Sequence, residues 1–200
     1  RLAAFAIRGG DAEPLFRDRE SNPLRVVGSV GSEGRIANSI KRHHNARHVF
    51  DHPSLNTMAR AKVRTILLLD DQLGSGKRAI DFCSKFLEHP TINSWISGNL
   101  VNIIVSVYAS LPSGRDRWSR FIRNLSRTQR KHVSLVTEFT APDILGDDPE
   151  LRRARSSLLQ KFTSELPRAE RQWTYGHKRS LGSIVFEHGC PNNVPAMLAL

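Results

Sequence analysis

Residues 66–78 read ILLLDDQLGSGKR, and this stretch decides the predicted fold. Its four leading apolar residues are typical of a strand that is covered on both faces, as in a parallel sheet. Two acids and a glycine-containing turn follow, at the edge where open α/β sheets bind ligands. We expect a helix to begin near Ser75, so that backbone N–H groups of the turn can converge on one phosphate.

The two acids, Asp70 and Asp71, suit a sugar better than a phosphate. Carboxylates accept hydrogen bonds at neutral pH, so they can hold the vicinal hydroxyls of a ribose, and one of them can also sense a magnesium ion. The nucleoside triphosphate P-loop does not fit, because Asp71 stands at its leading glycine position and Arg78 at its Ser/Thr position. A sugar phosphate is therefore the predicted ligand.

The same residues resemble the phosphoribosyl pyrophosphate (PRPP) motif of the type I phosphoribosyltransferases. That motif has four apolar residues, two acids, two apolar residues and a loop of small residues. Gln72 and Gly74 depart from it, because the family usually has an apolar residue and a small side chain at these positions. The positions that match are Ile66, Leu67, Leu68, Leu69, Asp70, Asp71, Leu73, Ser75, Gly76 and Arg78.

Two further segments resemble one branch of that fold, the PRTase-CE domain, which is associated with prokaryotic conflict and defence systems, including some retrons. Residues 101–110 end in YAS, and residues 186–195 read FEHGCPNNVP. With residues 67–77, they extend the similarity from about residue 24 to the C-terminus. The resemblance implies an α/β fold with a mainly parallel, doubly wound sheet and helices on both faces.

The alternation of strands and helices along the chain predicts the same fold class. We expect one domain with a core sheet in residues 24–139 and C-terminal helices and a hood-like segment in residues 140–200. It can be N-terminally incomplete, because the chain starts at Arg1 without methionine. The predicted strands are 24–30, 64–71, 101–109, 132–139 and 183–187. The predicted helices are 35–44, 53–61, 75–87 (which Pro90 stops), 113–130 and 150–166.

The resemblance also implies roles for particular residues in the transfer of ribose 5-phosphate from PRPP to a nitrogen nucleophile. Asp70 and Asp71 would hold the ribose hydroxyls. Magnesium would arrive through the substrate, with Asp70 or Asp71 as a candidate ligand and no other metal site on the protein. The residues that would hold the 5-phosphate are Gln72, Leu73, Gly74, Ser75, Gly76, Lys77 and Arg78.

A second glycine-rich turn, residues 28–34, precedes the first predicted helix. In the family, the loop after an early strand binds pyrophosphate, and Arg35 could neutralise that charge here. An ordinary βα turn explains the same glycines. The residues with candidate backbone donors are Gly31, Ser32, Glu33 and Gly34.

The acceptor side has weaker signals. His188, Asn192 and Asn193 could bind the edge of a base from a late hood segment, and residues 175–178 are a second candidate. Pro-Asn-Asn is equally a turn with capping side chains. Cys190 lacks a convincing His/Asp partner for nucleophilic catalysis.

Positive charge supports a different class of function. The formal net charge is +11, with an isoelectric point near 10.6, which suits a nucleic-acid partner. Helix 113–131 carries much of it, interleaved with Trp118 and Phe121. The alternative to an enzyme is therefore a catalytically inactive phosphoribosyltransferase fold that senses a nucleotide or binds nucleic acid or a defence-system partner protein.

Composition sets the remaining expectations. Hydrophobic residues make up 39% of 200, enough for one core, and no run reaches the roughly 20 apolar residues of a membrane span. With two cysteines, we expect a cytoplasmic protein without a membrane partner. His44, His48 and His52 are four residues apart and would share a helix face, but Pro53 and nearby basic residues favour a solvated surface over zinc.

Overall fold

The computed structural model describes residues 1–9, 15–16, 32–43, 48–168, 171–176, 181–184 and 194–199. Its five strands are β1 (Leu2–Ala6), β2 (Val49–Asp51), β3 (Thr65–Leu73), β4 (Asn102–Ser110) and β5 (Val133–Thr140). They form one parallel sheet in the order β2-β1-β3-β4-β5, with helices on both faces. The predicted α/β fold class is confirmed.

Helices connect most of these strands. None of those in the described part of the chain is both long and apolar enough to cross a membrane. They are α1 (Ser32–His43), α2 (Leu55–Arg60), α3 (Lys77–Glu88), α4 (Pro90–Ser97), α5 (Pro112–Asn124), α6 (Arg127–His132), α7 (Pro149–Ser164) and α8 (Ala196–Ala199), with a short 3-10 helix at Arg171–Trp173.

Several predicted elements differ from the observed ones. The predicted helix 113–130 is two helices, because Ser126 caps α6 by accepting a hydrogen bond from the Gln129 N–H. Pro90 ends one helix and also begins α4. Residues 183–184 lie outside any strand. The predicted strand 24–30 and residues 185–187 lie outside the described residues.

Strand β1, which the sequence pattern did not reveal, is covered on both faces. Ala4 and Ala6 pack against Ile40 of α1, whereas the Phe5 ring meets Phe86 of α3 at 5.1 Å between centroids. Successive residues of a strand point to opposite faces, so the small alanines let α1 approach while Phe5 fills the space beneath α3.

The order of strands creates a topological switch point. From β1 the chain proceeds to β2 on one side, whereas from β3 it proceeds to β4 and β5 on the other. Strands β1 and β3 are parallel neighbours with Ala6 opposite Leu69, and the Ile7 N–H donates to the Leu69 carbonyl at 2.8 Å. Ligands in open α/β sheets bind where the strand order reverses in this way.

Residue contacts divide the chain into two compact units. The second unit contains the turn after the acids, and in it the Leu111 N–H donates to the Leu73 carbonyl at 3.0 Å. The first unit consists of Arg1–Asp71, Arg78–Tyr108 and Ser119–Glu138, and the second of Gln72–Lys77, Ala109–Trp118 and Phe139–Leu200.

A buried histidine links the ends of β1 and β2 in the first unit. His52 accepts the Ala6 N–H at Nε2, 2.9 Å away, so its proton lies on Nδ1, which contacts the Asp51 carboxylate at 2.5 Å. The helix face expected for the spaced histidines is therefore wrong, because His48 and His52 flank a strand and both ring nitrogens of His52 are used. His44 lies outside the described residues.

Candidate active site

The acidic pair lies near the end of β3, which continues two residues beyond the predicted end at Asp71. Asp70 is 5% exposed, and Arg78, at the start of α3, forms a bidentate ion pair with it. The Arg78 Nη2 lies 2.7 Å from each Asp70 carboxylate oxygen, and its Nε donates to Oδ2 at 3.1 Å. The Asp71 backbone N–H also donates to the Asp70 Oδ1, at 3.0 Å.

Two further acids surround the same guanidinium. Arg78 lies 3.8 Å from the Asp71 carboxylate and 4.0 Å from the Glu33 carboxylate in the first turn of α1. The first unit thus brings one residue of the predicted pyrophosphate segment beside the predicted ribose-binding acids. The sequence predicted the pyrophosphate segment and the acidic pair separately and assigned Arg78 to the 5-phosphate. Only the structure shows that Arg78 contacts both groups.

Burial dominates the electrostatics of Asp70. It raises the pKa of Asp70 to about 7, against the opposing attraction of Arg78, and the neighbouring Asp71 raises it further. Burial works to lower the pKa of Arg78, but the charge and hydrogen bonds of Asp70 hold it above its ordinary value. Asp70 therefore changes its protonation near neutral pH while Arg78 stays charged.

Residues 7–9, which directly follow β1, include residues that the sequence analysis missed. A Cβ added at Gly9 would lie 3.8 Å from the Arg78 Cδ, in ordinary van der Waals contact, so this segment runs beside Arg78. Arg8 lies over the Phe82 ring, 5.9 Å from its centroid. These residues follow the strand next to β3 at the switch point, so Arg8 puts a second cation on the same edge of the sheet. Only strand order, which the local sequence pattern does not contain, could have indicated it.

In the second unit, the predicted phosphate turn lies directly on the first turn of α5. A Cβ at Gly114 would be 2.5 Å from the Leu73 carbonyl oxygen and would also overlap that of Gly74. Gly76 has a φ of 74°, which favours glycine, and a Cβ added to it would lie 3.0 Å from the Gly114 carbonyl oxygen. Gly114, which carries no chemistry of its own, therefore sets the position of the turn.

Gln72 departs from the usual motif, and the structure gives that departure a physical consequence. Its side chain is 7% exposed, and neither its amide nitrogen nor its amide oxygen has a hydrogen-bond partner in the described part of the chain. A buried amide without partners is unfavourable. Gln72 thus belongs to the buried side of β3, where an apolar residue would pack better.

The remaining predicted site residues divide into two groups. Ser32, Glu33, Gly34 and Arg35 form the first turn of α1, so the helix begins three residues earlier than predicted and the expected turn through residue 34 is wrong. The residues that lie outside the described part of the chain are Gly31, His188, Asn192, Asn193 and Cys190.

Neither a cluster of protein metal ligands nor a reactive thiol occurs among the residues that the structure describes. No group of three or more His, Cys, Asp or Glu side chains there could hold a metal ion. Burial raises the pKa of Cys83 to about 12, so its thiol stays protonated and unreactive at neutral pH. Any magnesium ion would need ligand oxygens from a bound phosphate in addition to one or two carboxylates.

The exposed cations of the first unit include residues in the second half of α5 and in α6. Arg130 is partly used to stabilise the break between the helices, because its Nη2 donates to the Arg123 carbonyl at 2.7 Å and to the Leu125 carbonyl at 3.2 Å. These exposed cations are Arg120, Arg123, Arg127, Arg130 and Lys131.

Comparison with known families identifies one match. The model of the PRTase-CE family matches residues 16–199, which is most of the chain. Comparison with curated proteins found no match.

Proposed function

The chain belongs to the PRTase-CE family and is a phosphoribosyltransferase-like domain, and we propose on that premise that it binds PRPP, or a related ribose phosphate, with Mg²⁺. It transfers the phosphoribosyl group to an acceptor nitrogen. The observation that supports this most strongly is the acidic pair at the end of β3, beside the switch point and in contact with Arg78. A role as an effector in prokaryotic defence is the biological part of the proposal.

The free protein holds the proposed sugar site in a neutralised form. Arg78 occupies both oxygens of Asp70, so the buried carboxylate does not lack a counter-ion before ligand binds. An incoming phosphate competes for the guanidinium, because arginine binds phosphate and carboxylate by the same paired hydrogen bonds. Asp70 and Asp71 then accept hydrogen bonds from the ribose hydroxyls.

The turn that follows the acids suits the 5-phosphate. Glycines at positions 74 and 76 let a phosphate approach the backbone closely, and the turn leads into the N-terminus of α3. Arg8 and Arg78 supply positive charge at the first unit's edge of the sheet, where the pyrophosphate would lie.

The proposed transfer breaks the bond between the ribose C1 and the pyrophosphate oxygen, whose electron pair leaves with pyrophosphate. The acceptor nitrogen forms the new bond to C1 and loses its proton to water. Positive charge develops on the ribose ring, so the two nearby carboxylates stabilise the transition state. Asp70 and Asp71 fit the one or two carboxylates that Mg²⁺ usually takes beside phosphate oxygens, and the ion would supply positive charge for the leaving pyrophosphate.

Calorimetric titration with PRPP and Mg²⁺ tests this function. We expect saturable binding by the unmodified chain and at least a tenfold loss in the Asp70→Asn/Asp71→Asn double variant, because hydrogen bonds to charged groups contribute roughly 1.5–3 kcal/mol each. Glu150→Gln, an exposed acid in the first turn of α7, is the matched control and should bind as the unmodified chain does.

Circular dichroism should first establish that both variants fold. Equal PRPP affinity in the folded double variant and the unmodified chain would contradict the assignment of the acids. If the unmodified chain does not bind PRPP at all, the phosphoribosyltransferase function fails.

A second candidate is binding of nucleic acid through the exposed cations of α5 and α6. The observation that favours it is the exposure of five cations within residues 120–131 of the first unit. In this case the fold would be a catalytically inactive binding module for nucleic acid or a partner protein, or a nucleotide sensor.

A further inference from the structure

The last residue of β1 lies beyond the end of its neighbouring strand β2. In the parallel register, Ala4 lies opposite Asp51, which is the last residue of β2. The Leu2 N–H donates to the His48 carbonyl at 2.9 Å. Since every second N–H of a strand points to the same side, the Ala6 N–H also points toward β2. Strand β2 has no residue left opposite Ala6 to accept it.

The imidazole of His52 takes the place of the missing backbone acceptor. The Ala6 N–H donates to the His52 Nε2 at 2.9 Å, and Ala6 is only 1% exposed. A buried backbone N–H without an acceptor is unfavourable, so this bond matters to the folded chain. The φ of His52 is 43°, a value that non-glycine residues rarely adopt, and the backbone bends there. Its side chain therefore extends the pairing of β1 beyond β2.

The Asp51 carboxylate fixes which nitrogen of His52 can accept. A backbone N–H only donates, so the Nε2 that receives it carries no proton, and the ring proton lies on Nδ1. The Nδ1 donates to the Asp51 Oδ1 at 2.5 Å, and the His52 side chain is 5% exposed. The ring also packs edge to face against Phe5, with 5.6 Å between centroids. Asp51 and Phe5 thus hold the imidazole in one tautomer and one orientation.

The path from this bond to the candidate active site is short. Ala6 ends β1, and Arg8 follows two residues later. His52 binds Ala6 from the side of β2, whereas the Ile7 N–H donates to the Leu69 carbonyl of β3 at 2.8 Å. Together these two bonds fix the path of the backbone into Arg8. A shift of Ala6 would move the cation that is proposed to face the pyrophosphate, and such small displacements weaken binding and catalysis.

We propose that His52 is a positioning residue of the candidate active site and that it acts through Arg8. Its imidazole, oriented by Asp51, accepts the Ala6 N–H and so sets where Arg8 lies at the edge of the sheet. The effect of His52 on PRPP binding rests on the proposed function, but its hold on the end of β1 does not.

Amide hydrogen exchange, measured by NMR, tests the hold on β1 without any ligand. His52→Leu removes the acceptor and keeps an apolar side chain against Phe5, so we expect the Ala6 N–H to exchange roughly tenfold faster relative to the Leu68 N–H. His52→Gln should keep the slow rate, because the glutamine Oε1 lies as many bonds from Cα as the histidine Nε2 and also accepts. Ile92→Val, a change in the buried face of α4, is the control for a general loss of stability and should leave the ratio unchanged.

An Ala6 N–H that exchanges equally slowly in folded His52→Leu and in the unmodified chain would overturn the proposal. Nitrogen-15 NMR of the His52 ring in the unmodified chain is a second check, which decides even if His52→Leu does not fold. We expect the ring proton on Nδ1 at neutral pH. A proton on Nε2 would overturn the proposal as well, because that nitrogen could not then accept the Ala6 N–H.

Calorimetric titration with PRPP and Mg²⁺ tests the action through Arg8. We expect Arg8→Gln and His52→Leu each to bind at least roughly tenfold more weakly, because a charge-assisted contact is lost in both. His52→Gln and Ile92→Val should bind as the unmodified chain does. The double variant Arg8→Gln/His52→Leu should bind no more weakly than Arg8→Gln alone, since both changes remove the same contact. A general structural role would instead give losses that multiply.

The failure of this proposal differs from the failure of the transferase function. If the unmodified chain does not bind PRPP, the transferase function is refuted, and the exchange rate of Ala6 still decides whether His52 holds β1. If the unmodified chain binds PRPP and folded His52→Leu binds it equally well, or the losses multiply in the double variant, the positioning role is overturned.

Discussion

At the scale of single residues, Asp70 links ionisation to stability. Its pKa is about 7 in the folded chain and near 3.8 ordinarily, so between these values the folded state binds more protons than the unfolded state. The free energy of unfolding therefore falls as the pH rises from about 4 to 7. We expect Asp70→Asn to flatten this part of the pH profile of chemical denaturation.

Comparing the pH profiles of Asp70→Asn and Asp71→Asn isolates the contribution of Asp70 to the slope, because the other groups that titrate between pH 4 and 7 are present in both variants. Asp71→Asn should keep the downward slope more fully than Asp70→Asn does. Identical slopes in the unmodified chain and Asp70→Asn would show that Asp70 is ionised throughout, held so by Arg78.

Gln72 provides a second test at this scale. Replacing its unpartnered amide by the apolar Gln72→Leu removes two unsatisfied polar atoms, so we expect the folded state to gain about 1–3 kcal/mol. Gln160→Leu is the matched control, because Gln160 is exposed and its amide donates to the Tyr175 hydroxyl at 2.7 Å. Thermal melting that shows Gln72→Leu to be less stable than the unmodified chain would mean that the amide has a partner in solution.

At the scale of elements, the phosphate turn depends on how closely it approaches α5. A Gly to Ala change inside a helix ordinarily stabilises by up to about 1 kcal/mol. Gly114→Ala should instead lower the free energy of unfolding by about 1–3 kcal/mol, because the added Cβ would overlap the Leu73 and Gly74 carbonyls. Chemical denaturation measures the change, and PRPP affinity should fall with it.

Gly98→Ala is the control for that experiment. Gly98 lies at the end of α4 with a φ of −83°, and the nearest atoms to an added Cβ are 3.5 Å away. It should therefore be tolerated. Equal stability of the two variants would show that the turn moves away from α5 without penalty.

At the scale of the whole molecule, the net charge of +11 predicts how nucleic acid would bind. Affinity for a single-stranded oligonucleotide should fall linearly on a log–log plot against salt, with a slope of about −0.7 for each phosphate contact. Fluorescence anisotropy of the Arg120→Gln/Arg123→Gln/Arg127→Gln variant should show a slope reduced by about 2. An unchanged slope would remove α5 and α6 from the binding surface.

Local patterns were sufficient to predict much of the fold. Strands β3, β4 and β5 and helices α1, α3 and α7 were predicted within a few residues, because their apolar periodicity is strong. Strand β1 was missed because LAAFA has no β-branched residue and is stabilised as a strand by its neighbours on both sides. The break at Ser126 was missed because charged residues continue across it.

For the whole protein, the sequence by itself determined the family, the α/β class and the position of the acids at a strand end, since each depends on residues that are adjacent in the chain. Only the tertiary structure decided that Arg78 neutralises Asp70 and faces Glu33, and that Gly114 supports the turn. The contacts of Arg78 with Glu33 and of Gly114 with the turn join segments far apart in sequence, and the pairing of Arg78 with Asp70, eight residues away, depends on burial and distance, which no local pattern specifies.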